Sequence, residues 1–489
     1  MSNVNKDLIR EVIEEVMSRL GDKSPAPAKK DDGNCGCPGK RAAAADAYGV
    51  FPSAADACEA AAAGFKQLQE KGKEARSKIV EIVKTLCESN AEEWGRIELE
   101  ETKIGRLDHK IEKLQIIKLV PGVEWLDPMA KSGDHGIMLE EYTPFGVIGA
   151  ITPSTHSIPT LAGNIVNMIA AGNAVVFNAH PSAARCAAMA VKVFNQAIEH
   201  ETGISNIACI IENPSLDSFN ELCANDNVRL LCVTGGPAVV EAAMKTGKRA
   251  ICAGPGNPPV FVDDTACMDR AAQSIIQGGA YDNNLLCIGE KEVFVLNKTF
   301  NPFMAAMEKA GAVKLNSHQL AQLKQAAFTF KEGQGGGCSH AAVNRDFIGK
   351  DATVLAQAAG ISVPAGTQLL FAETAADDPF VVEEQMMPFV PIVSVGSVEE
   401  GIEQSRIAEH DYKHTSIIHS HDVNHMTAMA RALDTTIFVK NGPCGAGLGL
   451  GGEGYLSFSI ATPTGEGITN PKTFTRARRC VMVDNLRIY

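Results

Sequence analysis

The chain has 489 residues, 45% of them hydrophobic and 21% charged, so it can bury a large core and divide into more than one domain. The 58 acidic and 45 basic residues leave a formal net charge of -13, and with no long basic run in the main body the composition points away from nucleic acid. No stretch reaches the roughly 18 apolar residues that span a bilayer, and the opening residues lack a signal-peptide order. A cytoplasmic enzyme-sized protein without membrane contact is therefore expected.

Fourteen cysteines in such a chain read as reduced thiols rather than a disulfide framework. Cys58, Cys87, Cys186, Cys209, Cys223 and Cys232 lie in apolar patterns and read as small buried hydrophobes. Cys35 and Cys37, in NCGCPGK, have no second pair at ligand spacing, so no metal site is expected.

Residues 5–20, NKDLIREVIEEVMSRL, place Leu8, Ile9, Val12, Ile13, Val16 and Leu20 on one stripe at helical spacing. Residues 1–20 thus read as an amphipathic helix segment, and the Pro-, Gly- and charge-rich residues 21–43 as a flexible tether. A lone helix of this length is marginal in water, so its apolar face calls for a partner surface. Folding back on the body and docking to a larger assembly are equally supported by the pattern itself.

From about residue 44 the chain opens with helical segments such as KEARSKIVEIVKTLCESNAEEW. From Gly146 apolar strand candidates (VIGAIT, AVVFNA, NIACII, RLLCVT and the run ending PPVFVDD) alternate with helix candidates (LAGNIVNMIAAG, AARCAAMAVKVFNQAIEHE, LDSFNELCA, PAVVEAAMKT). That alternation predicts an α/β fold with a parallel, helix-covered sheet. Ligands bind beyond the carboxyl ends of such strands, here the turns TPSTHS, NAHPSA and TGGP. A second α/β region runs from about Gly256 into the 440s. The terminal RARRCVMVDNLRIY reads as a strand that pairs with LEEYTPF outside the domains, an arm of the kind that builds oligomers.

GLGLGGEG, with Gly447, Gly449 and Gly452, fits the dinucleotide fingerprint by letter, but strand-like YLSFSI follows it where a helix is required, so it reads as a turn near the site. Cys287, in DNNLLCIGEKEV, follows a polar turn and precedes a strand, a place where a thiol can be half-exposed at a cleft. Cys338 with His340, in GGGCSHAAV, is a minor rival thiol and base pair, and His410 and His414 read as structural or loop residues.

The motifs PFGVIGAITPSTH, AAGNAVVFNAHP, TGGPAVV, AGPGNPPV, DNNLLCIGEKE, EEQMMPFVPIV and GEGYLSFSIATPTGEG occur in this order. On them the sequence resembles the aldehyde dehydrogenase superfamily from about residue 44 onward, and within it the CoA-acylating propionaldehyde and acetaldehyde dehydrogenases of bacterial microcompartments. The resemblance implies a Rossmann-type cofactor domain (44–128 and 145–255), a catalytic domain (256–469) and a β oligomerisation arm (129–144 and 470–489). It also implies that Cys287 attacks an aldehyde to form a thiohemiacetal, that Thr155 or His156 helps hold the oxyanion, and that a CoA thiol releases acyl-CoA from the resulting thioester.

The cofactor positions implied by the resemblance are Thr152, Pro153, Asn178, His180, Pro181, Gly235, Gly236 and Glu384, the last matching the glutamate that holds the nicotinamide ribose. Asn178 stands where many relatives carry a lysine to the adenosine ribose, which leaves NADP as the alternative to the expected NAD. Hydrolytic relatives carry a glutamate base in the segment matching ICAGPGNPP, which has no carboxylate here. This favours acyl transfer to CoA over water, with the hydrolytic enzyme as the alternative. The N-terminal helix resembles encapsulation peptides, which implies docking to microcompartment shell or core proteins. A homo-oligomer, dimer or tetramer, is expected.

Overall fold

The computed structural model describes residues 48–331 and 340–484. The helix expected at residues 1–20, the tether expected at 21–43 with Cys35 and Cys37, and Cys338 all lie outside the described residues, as does the side chain of His340.

The predicted alternation produces a six-stranded, wholly parallel sheet. Its strand order is Val50–Phe51, Ala208–Ile211, Ala174–Ala179, Val147–Thr152, Val228–Thr234 and Ala250–Ala253. Strand Val147–Thr152 is central: the next two strands in the chain go to one side of it and the following two to the other. This reversal opens a crevice at the carboxyl ends of the central strands, where ligands of doubly wound sheets sit. Every residue of Val147–Thr152 and Ala174–Ala179 is buried, as is every residue of helix Ser157–Ala170. Burial on both faces is why these segments read as unbroken apolar runs rather than alternating ones. The long helix Ala54–Ser89 crosses the sheet. Ser53 caps it, its Oγ accepting from Asp56 N–H at 3.1 Å, and the helix breaks at Gly72, whose φ of 73° no side chain opposes.

The second sheet is seven-stranded and also parallel, in the order Val313–Lys314, Leu370–Glu373, Phe389–Val395, Glu292–Leu296, Pro259–Val262, Thr415–His419 and Ile437–Lys440. After it the chain returns to the first sheet. Leu456, Ile460 and Ala461 join that core, Thr464 Oγ1 accepts from Cys252 N–H at 3.0 Å, and Ser459 Oγ lies 2.8 Å from Thr234 Oγ1. The arm forms a three-stranded antiparallel sheet of Met129–Gly133, Gly136–Pro144 and Thr475–Val483, in which Arg479 pairs with Glu140 at 2.8 Å. Its last strand leaves Val481 and Val483 about 60% exposed, at 58% and 62%.

The eleven described cysteines carry no disulfide, and the six assigned to the core are all buried. Among the described residues no helix is long and apolar enough to cross a membrane.

Candidate active site

Three turns build the first wall of the site. The carboxyl end of Val147–Thr152 runs into Pro153–His156, that of Ala174–Ala179 into His180–Pro181, and that of Val228–Thr234 into Gly235–Gly236. The opposite wall comes from the second sheet through Leu285, Cys287, Glu384 and Met386. Between them lies a cavity of about 620 Å³, and all eleven residues singled out in the sequence line it: Thr152, Pro153, Thr155, His156, Asn178, His180, Pro181, Gly235, Gly236, Cys287 and Glu384.

A second, smaller cavity of about 70 Å³ meets the first at His156 and Cys287. Ile116, Leu448, Leu450, Leu456, Phe458 and Ile460 give it an apolar wall, with Glu112, Tyr281 and Cys444 beside them. Cys287 therefore stands where a cofactor-sized cleft joins a pocket for a small apolar group. The GLGLGGEG run is indeed a turn at this pocket: Cys444–Leu448 is a short 3-10 helix and Gly449 and Gly451 both hold φ of 81°.

The loop before Cys287 is held in an uncommon shape. Asp282, Asn283 and Asn284 have φ of 48°, 56° and 63°, three successive left-handed residues in a run that the sequence showed only as a polar turn. Hydrogen bonds secure each one. Asp282 Oδ1 accepts from Arg106 N–H at 2.8 Å, Asn283 Nδ2 donates to Asp351 Oδ1 at 2.8 Å, and Asn284 Nδ2 donates to the Glu290 carbonyl at 2.9 Å. Beside Cys287, the segment 254–256 crosses so closely that a Cβ on Gly256 would lie 2.4 Å from the Cys287 carbonyl oxygen.

Burial pushes the Cys287 thiol up to about 12, the Glu384 carboxylate adding to the effect and the Lys291 ammonium opposing it. Burial likewise raises Glu384 to about 7, so this carboxyl exchanges its proton near neutrality. Lys291 is fully buried and donates to the carbonyl and Oδ1 of Asn284 at 2.7 and 2.5 Å. His156 is held well below the usual histidine range, by burial first and by the nearby Lys113 second, and is a neutral imidazole. Thr155 Oγ1 lies 2.9 Å from its Nδ1. When the hydroxyl donates there, the proton of the ring sits on Nε2, in the cavity wall.

Cys252 does not reach the site. It is fully buried in strand Ala250–Ala253, opposite Val233, with burial raising its thiol to about 11. Neither cavity is lined by any residue of 251–253, so Cys252 packs within its strand. Of the other two histidines, His410 Nε2 lies 2.6 Å from the Val382 carbonyl, and buried His414 donates its backbone N–H to Glu409 Oε1 at 2.7 Å.

The large cleft has the fittings of a dinucleotide site. Thr152 Oγ1 is buried on its wall without a partner, Gly236 leaves open space where a Cβ would stand, and Gly236 caps helix Pro237–Met244, whose amino end borders the cleft. Sequence reasoning missed Ser215, Leu216 and Phe219 at its rim and the whole small pocket, because both are assembled by chain segments far apart in sequence.

A half-buried thiol between a nucleotide-sized cleft and a small apolar pocket suits covalent catalysis on a short carbonyl compound. Residues 41–452 match the Aldehyde dehydrogenase family. The chain is 41% identical over 487 residues to the acetylating acetaldehyde dehydrogenase EutE of Salmonella typhimurium, covering 99% of this chain and all of that protein. It is 42% identical to Rhodopseudomonas palustris propionaldehyde dehydrogenase with bound CoA and an acylated cysteine, with a TM-score of 0.86 over 90% of this chain and 99% of that one. A propionaldehyde dehydrogenase from the Clostridium phytofermentans fucose utilisation bacterial microcompartment is 40% identical, with a TM-score of 0.86 over 90% and 100% of the two chains. The chain belongs to the aldehyde dehydrogenase family.

Proposed function

We propose that the protein oxidises a short-chain aldehyde, of the acetaldehyde and propionaldehyde class, to its acyl-CoA by way of a Cys287 thioester. The observation that carries this reading is the wall facing Cys287: the segment 251–259 brings Gly254 and Pro255 to the cavity and no carboxylate. Its cofactors are a nicotinamide dinucleotide and coenzyme A, and NAD is the nucleotide proposed.

The aldehyde enters with its alkyl group in the 70 Å³ pocket and its carbonyl carbon at Cys287 Sγ. The thiol's proton passes to Glu384, and sulfur bonds to carbon to give a thiohemiacetal. The growing negative charge on oxygen is met by the Cys287 backbone N–H and, when the Thr155 hydroxyl donates to Nδ1, by the Nε2–H of His156. A bound nicotinamide would supply the acceptor for the hydride that leaves this carbon. Thr152, Pro153, Asn178, His180, Pro181, Gly235 and Gly236 would bind and orient the dinucleotide, and Glu384 would hold its nicotinamide ribose. With the thioester formed, the CoA sulfur bonds to its carbonyl carbon, the carbon–Sγ bond breaks, and the proton of the CoA thiol goes to the departing Cys287 sulfur. Water in the same place meets no carboxylate on segment 251–259, and Glu384 already carries the proton of the thiol, whereas a CoA thiol is the better nucleophile and needs less help.

Mass spectrometry of protein mixed with propionaldehyde and NAD, without CoA, tests this reading. A propanoyl group that persists on Cys287 until CoA is added supports it. A cysteine found unmodified, with propanoate accumulating, overturns it.

The microcompartment origin of the Clostridium phytofermentans relative supports a place inside a bacterial microcompartment, with residues 5–20 docking to a shell or core protein. The exposed edge of strand Thr475–Val483 supports a homo-oligomer built through the arm. Deleting residues 1–20 and following co-sedimentation with assembled shells checks the docking, which fails as an account if recruitment is unchanged.

A further inference from the structure

Two buried lysines one helical turn apart tie the nucleophile loop to the turn that faces it across the site. Both stand on helix Leu107–Gln115. Lys113, fully buried, pairs with the carboxylate of Asp282, the first of the three left-handed residues ahead of Cys287. Lys110, 1% exposed, donates to Glu98 Oε1 at 2.8 Å and to the Thr155 carbonyl at 3.3 Å. The other oxygen of Glu98 accepts from Ile158 N–H at 3.0 Å, in the first turn of the helix that follows His156. Asp282 is gripped from three further sides. Arg106 N–H donates to its Oδ1, its own N–H donates to His109 Nδ1 at 2.8 Å, and Gly105 is bare of a Cβ that would lie 2.3 Å from that carboxylate.

From this arrangement we propose that Lys113 and Lys110 are positioning residues, which act through Asp282 and through Glu98 to hold Cys287 and the Thr155–His156 turn at their reactive separation. The proposal rests on the assignment of Cys287 and His156 as the reacting pair. Simple structural support would not require this wiring. A buried ion pair is weak evidence for stability, since apolar residues of the same shape often serve as well, whereas its directional bonds fix geometry. Here both pairs attach to the reactive segments, and the cavities meet between them. A small misplacement of a nucleophile costs rate steeply, so the effect belongs in kcat rather than in nucleotide binding.

The test uses the full chain and the Lys113→Met, Asp282→Asn and combined Lys113→Met/Asp282→Asn variants. Each is assayed for Tm, for kcat and KM with propionaldehyde, NAD and CoA, and for the rate and pH profile of Cys287 alkylation by iodoacetamide. Each single change strands a buried charge and lowers Tm, and the double variant removes both charges and regains much of it. The proposal expects the double variant to keep a kcat lowered by about tenfold or more, a shifted alkylation profile, and an unchanged KM for NAD. Recovery of kcat together with Tm in the double variant overturns it. Where the Lys113 variants fail to fold, Lys110→Met/Glu98→Gln supplies the same comparison. A lowered kcat at near-native Tm supports the proposal, and a native kcat contradicts it. Loss of Cys287 acylation in the wild type would sink the underlying active-site assignment instead, a result these variants do not produce.

Discussion

Thr155 Oγ1 lies 2.9 Å from Nδ1 of His156, and when this hydroxyl donates, the ring proton is held on Nε2. Burial keeps the imidazole neutral, so without the hydroxyl both tautomers become available. Changing His156→Ala removes a donor from the oxyanion and should lower kcat by about 10²-fold with little change in KM for NAD. Thr155→Val should cost less, about tenfold, because Nε2–H remains in one of the two tautomers. Steady-state kinetics of the two variants check the order; equal and negligible losses would remove both from the oxyanion site.

Glu290 has no exposed surface, and burial raises its carboxyl to about 7. Its Oε1 accepts from Cys444 N–H at 2.9 Å, while Oε2 has no partner. The folded form binds the proton more tightly than the unfolded one, whose value is 4.5. Its favourable contribution is therefore complete below pH 4.5 and is lost as pH rises to 7, by up to about 3 kcal/mol. Glu290→Gln should flatten this part of the stability curve, so the stability of the variant relative to wild type rises between pH 4.5 and 7. Urea unfolding at pH 5 and pH 7 measures it.

The small pocket predicts chain-length selectivity. Leu448 is 4% exposed and walls it from the 3-10 helix Cys444–Leu448. Leu448→Ala should shift kcat/KM toward pentanal or hexanal by roughly tenfold, since each extra methylene in an apolar pocket is worth a factor of that order. The change also costs about 2–5 kcal/mol of stability, which thermal unfolding reports. An unchanged preference would place the alkyl group elsewhere.

Much of this was legible in the sequence. The strands VIGAIT and AVVFNA announce themselves because burial on both faces leaves them almost wholly apolar, and the turns after them line the large cleft because parallel strands all end on one side. The arm was readable in the same way, RARRCVMV pairing with LEEYTPF as expected. The short strand Val50–Phe51 carries too few residues to show a period. Lys110 and Lys113 were hidden for a different reason: on a polar-looking helix they read as solvated charges, and only the fold brings Asp282 to one of them, 169 positions away. The small pocket owes its walls to residues 443–460 returning across the first sheet, which no local pattern records.

On the proposed mechanism the acyl group on Cys287 goes to CoA and not to water. Following NADH formation from propionaldehyde and NAD, with and without CoA, for wild type and Cys287→Ala, tests it most directly. Sustained turnover that requires CoA and vanishes in Cys287→Ala is the predicted result. Equal turnover of the wild type without CoA would show that water reaches the thioester, and would contradict it.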